Sequence, residues 1–264
     1  MKNTQKQQYA VFIDIDGTLM GKNDDALFEN LATIQKVRSL GHKVFISTGR
    51  AMSYIPKKLD HEKNFDGVIT GAGAFVSFGK NVISKTLMPK DLVERFSRYV
   101  MENGVPGFLE GHEMMYHYGI SYDANSEWFK GSQWTEITGE NIKEILDGGI
   151  PIEKFSVIGT VPEELDEIMG ETCTVLRFSK YGEVIQKSCG KAKALLDTAN
   201  YLGILSKNTV AIGDSMNDFD MIEVSGIGVA MGNAAREVKE IADFITDDAD
   251  NAGVATALKR IFCL

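Results

Sequence analysis

The chain is poor in the residues that staple or interrupt a fold. Its 264 residues include only three cysteines, Cys173, Cys189 and Cys263, with no CxxC spacing. An odd, scattered set excludes a disulfide scaffold and a thiolate zinc site, and implies a reduced, cytoplasmic protein with inert thiols. The five prolines form no proline-rich linker, and there is no repeat or low-complexity tract. Long apolar runs are missing too. The longest, such as Ala10–Ile13 and Thr209–Ile212, are strand-sized, far from the roughly 18–20 residues of a membrane helix. Met1–Gln8 is polar, without an apolar h-region, so no secretory signal is expected. Positive charge is short: 28 Lys and Arg stand against 37 Asp and Glu, a formal charge of −9. A chain this acidic is a poor partner for nucleic acid or an anionic membrane. If its substrate is an anion, positive charge has to be gathered at one site. The four histidines, His42, His61, His112 and His117, are scattered and suggest no zinc cluster.

What remains is a globular composition, 44% hydrophobic and 25% charged, long enough for one large domain or two ordinary ones. The first third alternates strand and helix. Val11–Asp14 is a buried strand. Asn23 or Asp24 caps a helix with Leu27, Leu31, Ile34, Val37 and Leu40 on one face, and Gly41 stops it. Val44–Ile46 and Val68–Ile69 are further buried strands. The last third repeats the grammar: a helix near 191–202, strand Thr209–Ile212, helix 218–224, strand Ile227–Ala230, helix 234–241, strand Phe244–Ile245 and a final helix near 253–261. Continuous apolar strands joined by helices predict a doubly wound, Rossmann-like parallel sheet, an α/β core. The middle reads differently: a hairpin (75–78 and 82–83), a helix from Pro89, two short strands, a Trp-rich stretch (Trp128, Trp134), strand Phe155–Ile158, helix Pro162–Met169 and two strands near 174–178 and 183–185. These predict an inserted antiparallel α+β layer, joined by hinges near 82–86 and 184–188.

The chemistry-bearing residues gather at strand ends. The first strand runs into Asp14-Ile15-Asp16-Gly17-Thr18, two carboxylates two residues apart. In an open α/β sheet ligands bind beyond the carboxyl ends of the strands, and adjacent carboxylates are costly there unless a cation compensates. The second strand ends in Ser47-Thr48-Gly49-Arg50, a hydroxyl and a glycine at the expected mouth of a helix, where an anion is favoured. The strand Thr209–Ile212 ends in Gly213-Asp214-Ser215-Met216-Asn217-Asp218. Four aspartates and a hydroxyl converging on one crevice call for a hard divalent cation with oxygen ligands, best met by Mg2+.

These motifs resemble those of the haloacid dehalogenase superfamily of phosphohydrolases, in its Cof-type, sugar-phosphatase-like branch, over essentially the whole length. Asp14-Ile15-Asp16-Gly17-Thr18 resembles the DxDGT motif, Ser47-Thr48-Gly49-Arg50 the second motif with Thr48 as its hydroxyl, Lys191 the third, and Gly213–Asp218 the GDxxND motif, with Met231-Gly232-Asn233-Ala234 as a companion. Gly190 stands where many relatives have Ser, and Thr70-Gly71-Ala72 where many have Asn-Gly-Ala. Only 29 residues separate Thr18 from Thr48, but 142 separate Thr48 from Lys191. The expected organisation is a catalytic core of residues 1–82 and 186–264 and an α/β cap of residues 83–185 that selects the substrate.

The resemblance implies a Mg2+-dependent phosphatase acting on a small phosphorylated metabolite, sugar phosphates first, through an aspartyl phosphate on Asp14. It implies Asp16 as general acid and base, and metal ligation by Asp14, the Asp16 carbonyl and Asp214. Lys191 is expected to supply the second positive charge. Ile15 and Gly49 amides, the Thr48 hydroxyl, Lys191 and Asn217 are expected on the phosphoryl oxygens, and Asp218 to orient Lys191 or a metal-bound water. Dehalogenase members lack the Asp16 carboxylate, so its presence favours phosphoryl chemistry. Substrate-contact candidates are Arg50, Gly71, Glu110 and His112; Trp128, Phe129, Tyr116 and Trp134 are candidates either for the substrate face or for core packing. Gly226, Gly228 and Gly232 do not have the spacing of a dinucleotide fingerprint. Alternatives are a phosphotransferase or mutase on the same scaffold, a flavin or pyridoxal phosphate phosphatase, and a non-catalytic phosphate-binding module. A monomer or small homo-oligomer is expected.

Overall fold

The computed structural model describes residues 7–120, 134–147, 149 and 151–264; Trp128 and Phe129 lie outside them. The chain separates into two compact units. One takes the chain up to Gly49, then Leu59–Ile83 and Gly190–Leu264; the other takes Arg50–Lys58 and Ser84–Cys189.

The first unit is built on β1 (Ala10–Ile13), whose four residues are all buried. An all-apolar strand needs cover on both faces and neighbours on both edges. It pairs in parallel with β2 (Lys43–Ser47) on one edge and with β12 (Thr209–Gly213) on the other. Strands β3 (Gly67–Thr70), β4 (Phe75–Phe78) and β5 (Asn81–Lys85) extend the β2 side; β13 (Ile227–Ala230) and β14 (Phe244–Ile245) extend the β12 side. The sheet is parallel from β14 to β3 and turns antiparallel at β4. The predicted hairpin forms the edge of this sheet. Chain order reverses about β1, so its carboxyl end is the topological switch point where α/β folds open a crevice.

Helix α1 (Asp24–Ser39) starts where the Asn23 side chain accepts the Asp25 N–H. It packs on α9 (Gly253–Phe262) through the small residues Ala26, Ala252 and Ala255. Buried Asn30 fixes that contact, donating to the Leu19 carbonyl (3.2 Å) and accepting from the Ala255 N–H (2.9 Å). The chain after Gly49 is not the predicted helix. A 3₁₀ turn spans Met52–Tyr54 and ends at Ile55, which Pro56 holds extended (ψ 127°). Thr48 and Gly49 thus have no helix N-terminus behind them.

The second unit is a six-stranded sheet in the order β10-β11-β9-β6-β7-β8, formed by β6 (Gly107–Gly111), β7 (Met115–Tyr118), β8 (Trp134–Glu136), β9 (Ile152–Ile158), β10 (Cys173–Arg177) and β11 (Tyr181–Gln186). The expected antiparallel pairing holds except that β8, a strand absent from the sequence reading, runs parallel to β7. Its core is led by Phe96 of α3 (Lys90–Asn103) stacked on Phe155 at 4.4 Å. Arg50–Lys58 joins this unit because Ser53 Oγ donates to the Gly111 carbonyl (2.6 Å) and Tyr54 packs edge-on against Trp134.

Candidate active site

The site lies at the carboxyl ends of β1, β2 and β12, within the first unit. The ladder runs one residue past β1, with the Asp14 N–H donating to the Ile212 carbonyl (3.1 Å). A tight loop then folds back: Leu19 N–H donates to the Asp14 carbonyl (3.1 Å), Met20 N–H to the Ile15 carbonyl (2.9 Å) and Gly17 N–H to the Met20 carbonyl (3.0 Å). Gly17 is required twice over. Its φ of +78° suits only a residue without Cβ, and a Cβ there would lie 2.4 Å from Asp214 Oδ2.

Lys191 opens helix α6 (Lys191–Tyr201) and is almost fully buried. Its Nζ donates to Asp14 Oδ1 (2.7 Å), Asp218 Oδ1 (2.7 Å) and Asn217 Oδ1 (3.2 Å), which engages all three ammonium hydrogens. Asp218 Oδ2 accepts the N–H groups of Asp214 and Ser215, both at 3.1 Å. Asp218 therefore fixes the lysine with one oxygen and the loop after β12 with the other. Asp214 accepts from Thr18 Oγ1 (3.0 Å). Asn233 closes the loop from the far side, donating to the Gly17 carbonyl (2.8 Å) and accepting from the Ala249 N–H (3.0 Å).

Burial and the charge of Asp218 raise the Asp14 carboxyl well above the usual carboxylate range, with Lys191 only partly opposing them. Burial and Asp218 likewise push Asp214 up to about 6. Burial opposes the Lys191 charge, but Asp14 and Asp218 outweigh it and hold the ammonium firmly protonated. Carboxylate oxygens of Asp14, Asp214 and Asp218 lie within 4.8 Å of one another. One ammonium does not balance three carboxylates, and the raised Asp14 and Asp214 show the shortfall. A donor set of oxygens carrying uncompensated negative charge fits Mg2+. Asp14 and Asp214 are the carboxylates suited to hold it, since Asp218 has both oxygens committed.

The structure thus brings Asp14, Lys191, Asp214, Asn217 and Asp218 together. Asp16 is exposed on the loop just beyond Asp14. Ile15 is buried, and its carbonyl receives two loop amides. Thr48 is buried with its N–H donated to the Ile69 carbonyl (2.9 Å), and Gly49 follows it. Gly71 has φ +56° in the turn after β3. The remaining candidates belong to the second unit. Arg50 lies over the Tyr54 ring and donates to the Tyr54 carbonyl (3.1 Å). Glu110, expected to contact substrate, is buried in β6, where it accepts from Ser156 Oγ and pairs with Lys154 (3.3 Å). Lys154 also pairs with Glu183. His112 meets buried Glu153 at 2.8 Å. Tyr116 packs in the core of this unit, and Trp134 packs against Phe108.

Sequence reasoning missed the parts played by Thr18, Ser215 and Asn233. Ser215 Oγ donates to Asn217 Oδ1 (2.8 Å). The available signal was their residue type: short polar side chains in loops that bond nearby backbone and neighbours.

A doubly wound sheet that presents lysine-bridged carboxylates at its switch point is the architecture of an enzyme handling an anion. Comparison with known proteins makes the class specific. Residues 11–258 match the haloacid dehalogenase-like hydrolase family, and the chain belongs to it. The 5-amino-6-(5-phospho-D-ribitylamino)uracil phosphatase YitU of Bacillus subtilis is 30% identical over 98% of this chain and 100% of its own length. YcsE of the same organism, which carries the same phosphatase name, is 31% identical over 95% of this chain and 94% of its own. Among solved structures, the HAD subclass IIB sugar phosphatase BT4131 is 25% identical with a TM-score of 0.77, covering 97% of this chain and 100% of that one. The phosphatase BT1666 of Bacteroides thetaiotaomicron is 25% identical with a TM-score of 0.78, covering 100% and 98%. The chain is a phosphatase of this family. No helix among the described residues is long and apolar enough to cross a membrane.

Proposed function

We propose that the enzyme hydrolyses small phosphorylated metabolites, sugar phosphates and phosphorylated polyol chains first, through an aspartyl phosphate on Asp14. The observation that carries this reading is Lys191 Nζ held between Asp14 and Asp218, 2.7 Å from each, in a buried pocket at the end of β1. A phosphomonoester dianion repels an attacking carboxylate, so the work of such a site is positioning and charge compensation. An Asp14 oxygen attacks phosphorus, and the bond from phosphorus to the leaving oxygen breaks. Asp16 gives that oxygen a proton. Asp16 then takes a proton from water as the water attacks phosphorus, and the bond to Asp14 breaks to release phosphate. Lys191 turns part of its charge from Asp14 to the phosphoryl oxygens. The Asn217 amide, the Thr48 hydroxyl and the Ile15 and Gly49 amides position those oxygens, while Asp218 keeps Lys191 in place. Mg2+, held by Asp14, the Asp16 carbonyl and Asp214, would supply positive charge to the phosphoryl group.

Residues 83–185 act in this reading as the cap that selects the substrate. Relatives named for a phosphoribitylaminouracil favour, beside sugar phosphates, a primary phosphate on a ribityl chain. A screen of a few dozen phosphometabolites, with Mg2+ and with chelator, tests the proposal. Free phosphate is the expected product. A re-phosphorylated sugar would make the enzyme a mutase or transferase, and no turnover of any phosphate ester would refute the reading.

A further inference from the structure

Ser47 is the last residue of β2 and wholly buried, and its Oγ has no hydrogen-bond partner. A hydroxyl buried in that state costs stability with no return in the resting fold, which asks for an explanation. The β1–β2 register pairs Ile13 with Ile46, so one residue further along Asp14 stands opposite Ser47. Side chains alternate along a strand. Phe12 and Phe45, two residues back on each strand, stack at 5.2 Å on one face, so Asp14 and Ser47 share that face. On the other edge β12 pairs Ile13 with Ile212, which puts Gly213 beside Asp14. A Cβ on Gly213 would lie 2.5 Å from the Asp218 side chain. The three strand ends therefore present a row: Asp218 over Gly213, then Asp14, then Ser47. Lys191 bridges Asp218 and Asp14, so the ammonium holds Asp14 from the β12 side. The β2 side carries the uncommitted hydroxyl. Neighbouring strands lie about 4.8 Å apart, so rotation about Ser47 χ1 to another staggered position brings Oγ within hydrogen-bond reach of the carboxylate.

We infer that Ser47 is a positioning residue for Asp14. Its O–H donates to the Asp14 carboxylate as Lys191 turns toward the phosphoryl group, so the nucleophile keeps its aim when the ammonium loosens its hold. The inference rests on Asp14 being the nucleophile. It assigns Ser47 a part separate from that of Thr48, which follows the end of β2.

The test is a burst experiment with p-nitrophenyl phosphate and Mg2+ in an Asp16→Asn parent, where attack of water is slow and each turnover halts at phosphorylated Asp14. Adding Ser47→Ala should slow the burst by a factor of about 10–100, the range for losing one hydrogen bond to a charged acceptor. Its amplitude should stay near one equivalent per site, inorganic phosphate should bind within twofold of the parent, and the melting temperature should be equal or higher. Ser47→Thr, which keeps the hydroxyl, should restore the rate. A burst in the parent that Ser47→Ala leaves equally fast would overturn the inference alone. So would a slower burst matched by an equal loss of phosphate affinity, which would make the hydroxyl a substrate contact. No burst in the parent would overturn the reading of Asp14 and Asp16, and this inference with it.

Discussion

Replacing Lys191 with methionine removes the cation that faces Asp14 and Asp218 at 2.7 Å while keeping most of the buried side-chain volume. Breaking a buried ion pair by deleting one partner costs about 3–5 kcal/mol, because the other charge stays behind unpaired. Here two carboxylates are left, with Asp214 close by, so the upper half of that range is the expectation at pH 7.5 in chelator. For a chain of this length each kcal/mol moves the midpoint by roughly 2–4 °C, which gives a fall on the order of 10 °C. The loss depends on pH in a defined direction. A carboxyl whose folded pKa is raised binds more protons folded than unfolded, so it destabilises as pH rises through that window and ceases to destabilise as pH falls below it. For Asp214 the window runs from 3.8 to about 6; in Lys191→Met the Asp14 carboxyl, already raised by burial and Asp218, joins it. The variant should therefore recover much of its deficit between pH 7.5 and pH 5, and Mg2+ should recover part of it at pH 7.5. Turnover should drop by roughly two to three orders of magnitude, as for loss of one electrostatic stabiliser. Thermal unfolding across pH, with and without Mg2+, reads the first effect, and steady-state kinetics the second. A midpoint within 2 °C of the parent at pH 7.5, or a deficit that grows toward pH 5, would refute the charge argument.

Chelation should abolish activity and Mg2+ restore it, with Ca2+ a poor substitute because its looser coordination misaligns nucleophile and phosphorus; full turnover in excess chelator would contradict this. Asp214→Asn should stabilise the chelated enzyme at pH 7.5 by up to roughly 3 kcal/mol, the free-energy equivalent of moving a pKa from 3.8 to about 6, and should flatten stability between pH 4 and 6; denaturant titration decides. Asp16→Asn should lose more on sugar phosphates than on p-nitrophenyl phosphate, since the aryl leaving group needs little protonation, with a loss of about 10²–10⁴-fold on the former; equal losses would move Asp16 out of proton transfer. Lys154→Met should destabilise the second unit by about 3–5 kcal/mol, leaving Glu110 and Glu183 buried without their cation; hydrogen exchange confined to that unit is the readout, and unchanged protection would refute it.

Most of the sheet core was readable in advance because its strands are continuous apolar runs and the carboxylates of its candidate site sit where those runs stop. Asp14 and Lys191 are 177 residues apart in the chain, yet each marks the edge of an element. What escaped reading has physical reasons. The 3₁₀ turns of Arg50–Lys58 carry no periodicity, and the segment, read with residues 1–82 as core, packs with the second unit. The residues after Gly49 were expected to form a helix, and Pro56 with its extended neighbour Ile55 prevents it. Glu110 was expected to contact substrate; the pairing of β6 with β9 sets it opposite Lys154, and the ion pair lets both be buried. Strand β8 spans three residues and leaves no pattern to detect. Thr18 and Asn233 hold the site through contacts that depend on how distant loops meet.

The pairing of β1 with β12 joins Ala10 to Thr209, with the whole second unit encoded between them. During synthesis β1 emerges early and can pair with β2, but its other edge waits for β12. At about 5–20 residues per second that wait is on the order of 10–40 s. Throughout it, an apolar strand of sequence Ala-Val-Phe-Ile has an unsatisfied edge, a template for mispairing with another chain. The insertion of one unit inside the other thus sets a kinetic hazard for the nascent chain, and makes β1 the place where a chaperone or a slowed ribosome has most to protect.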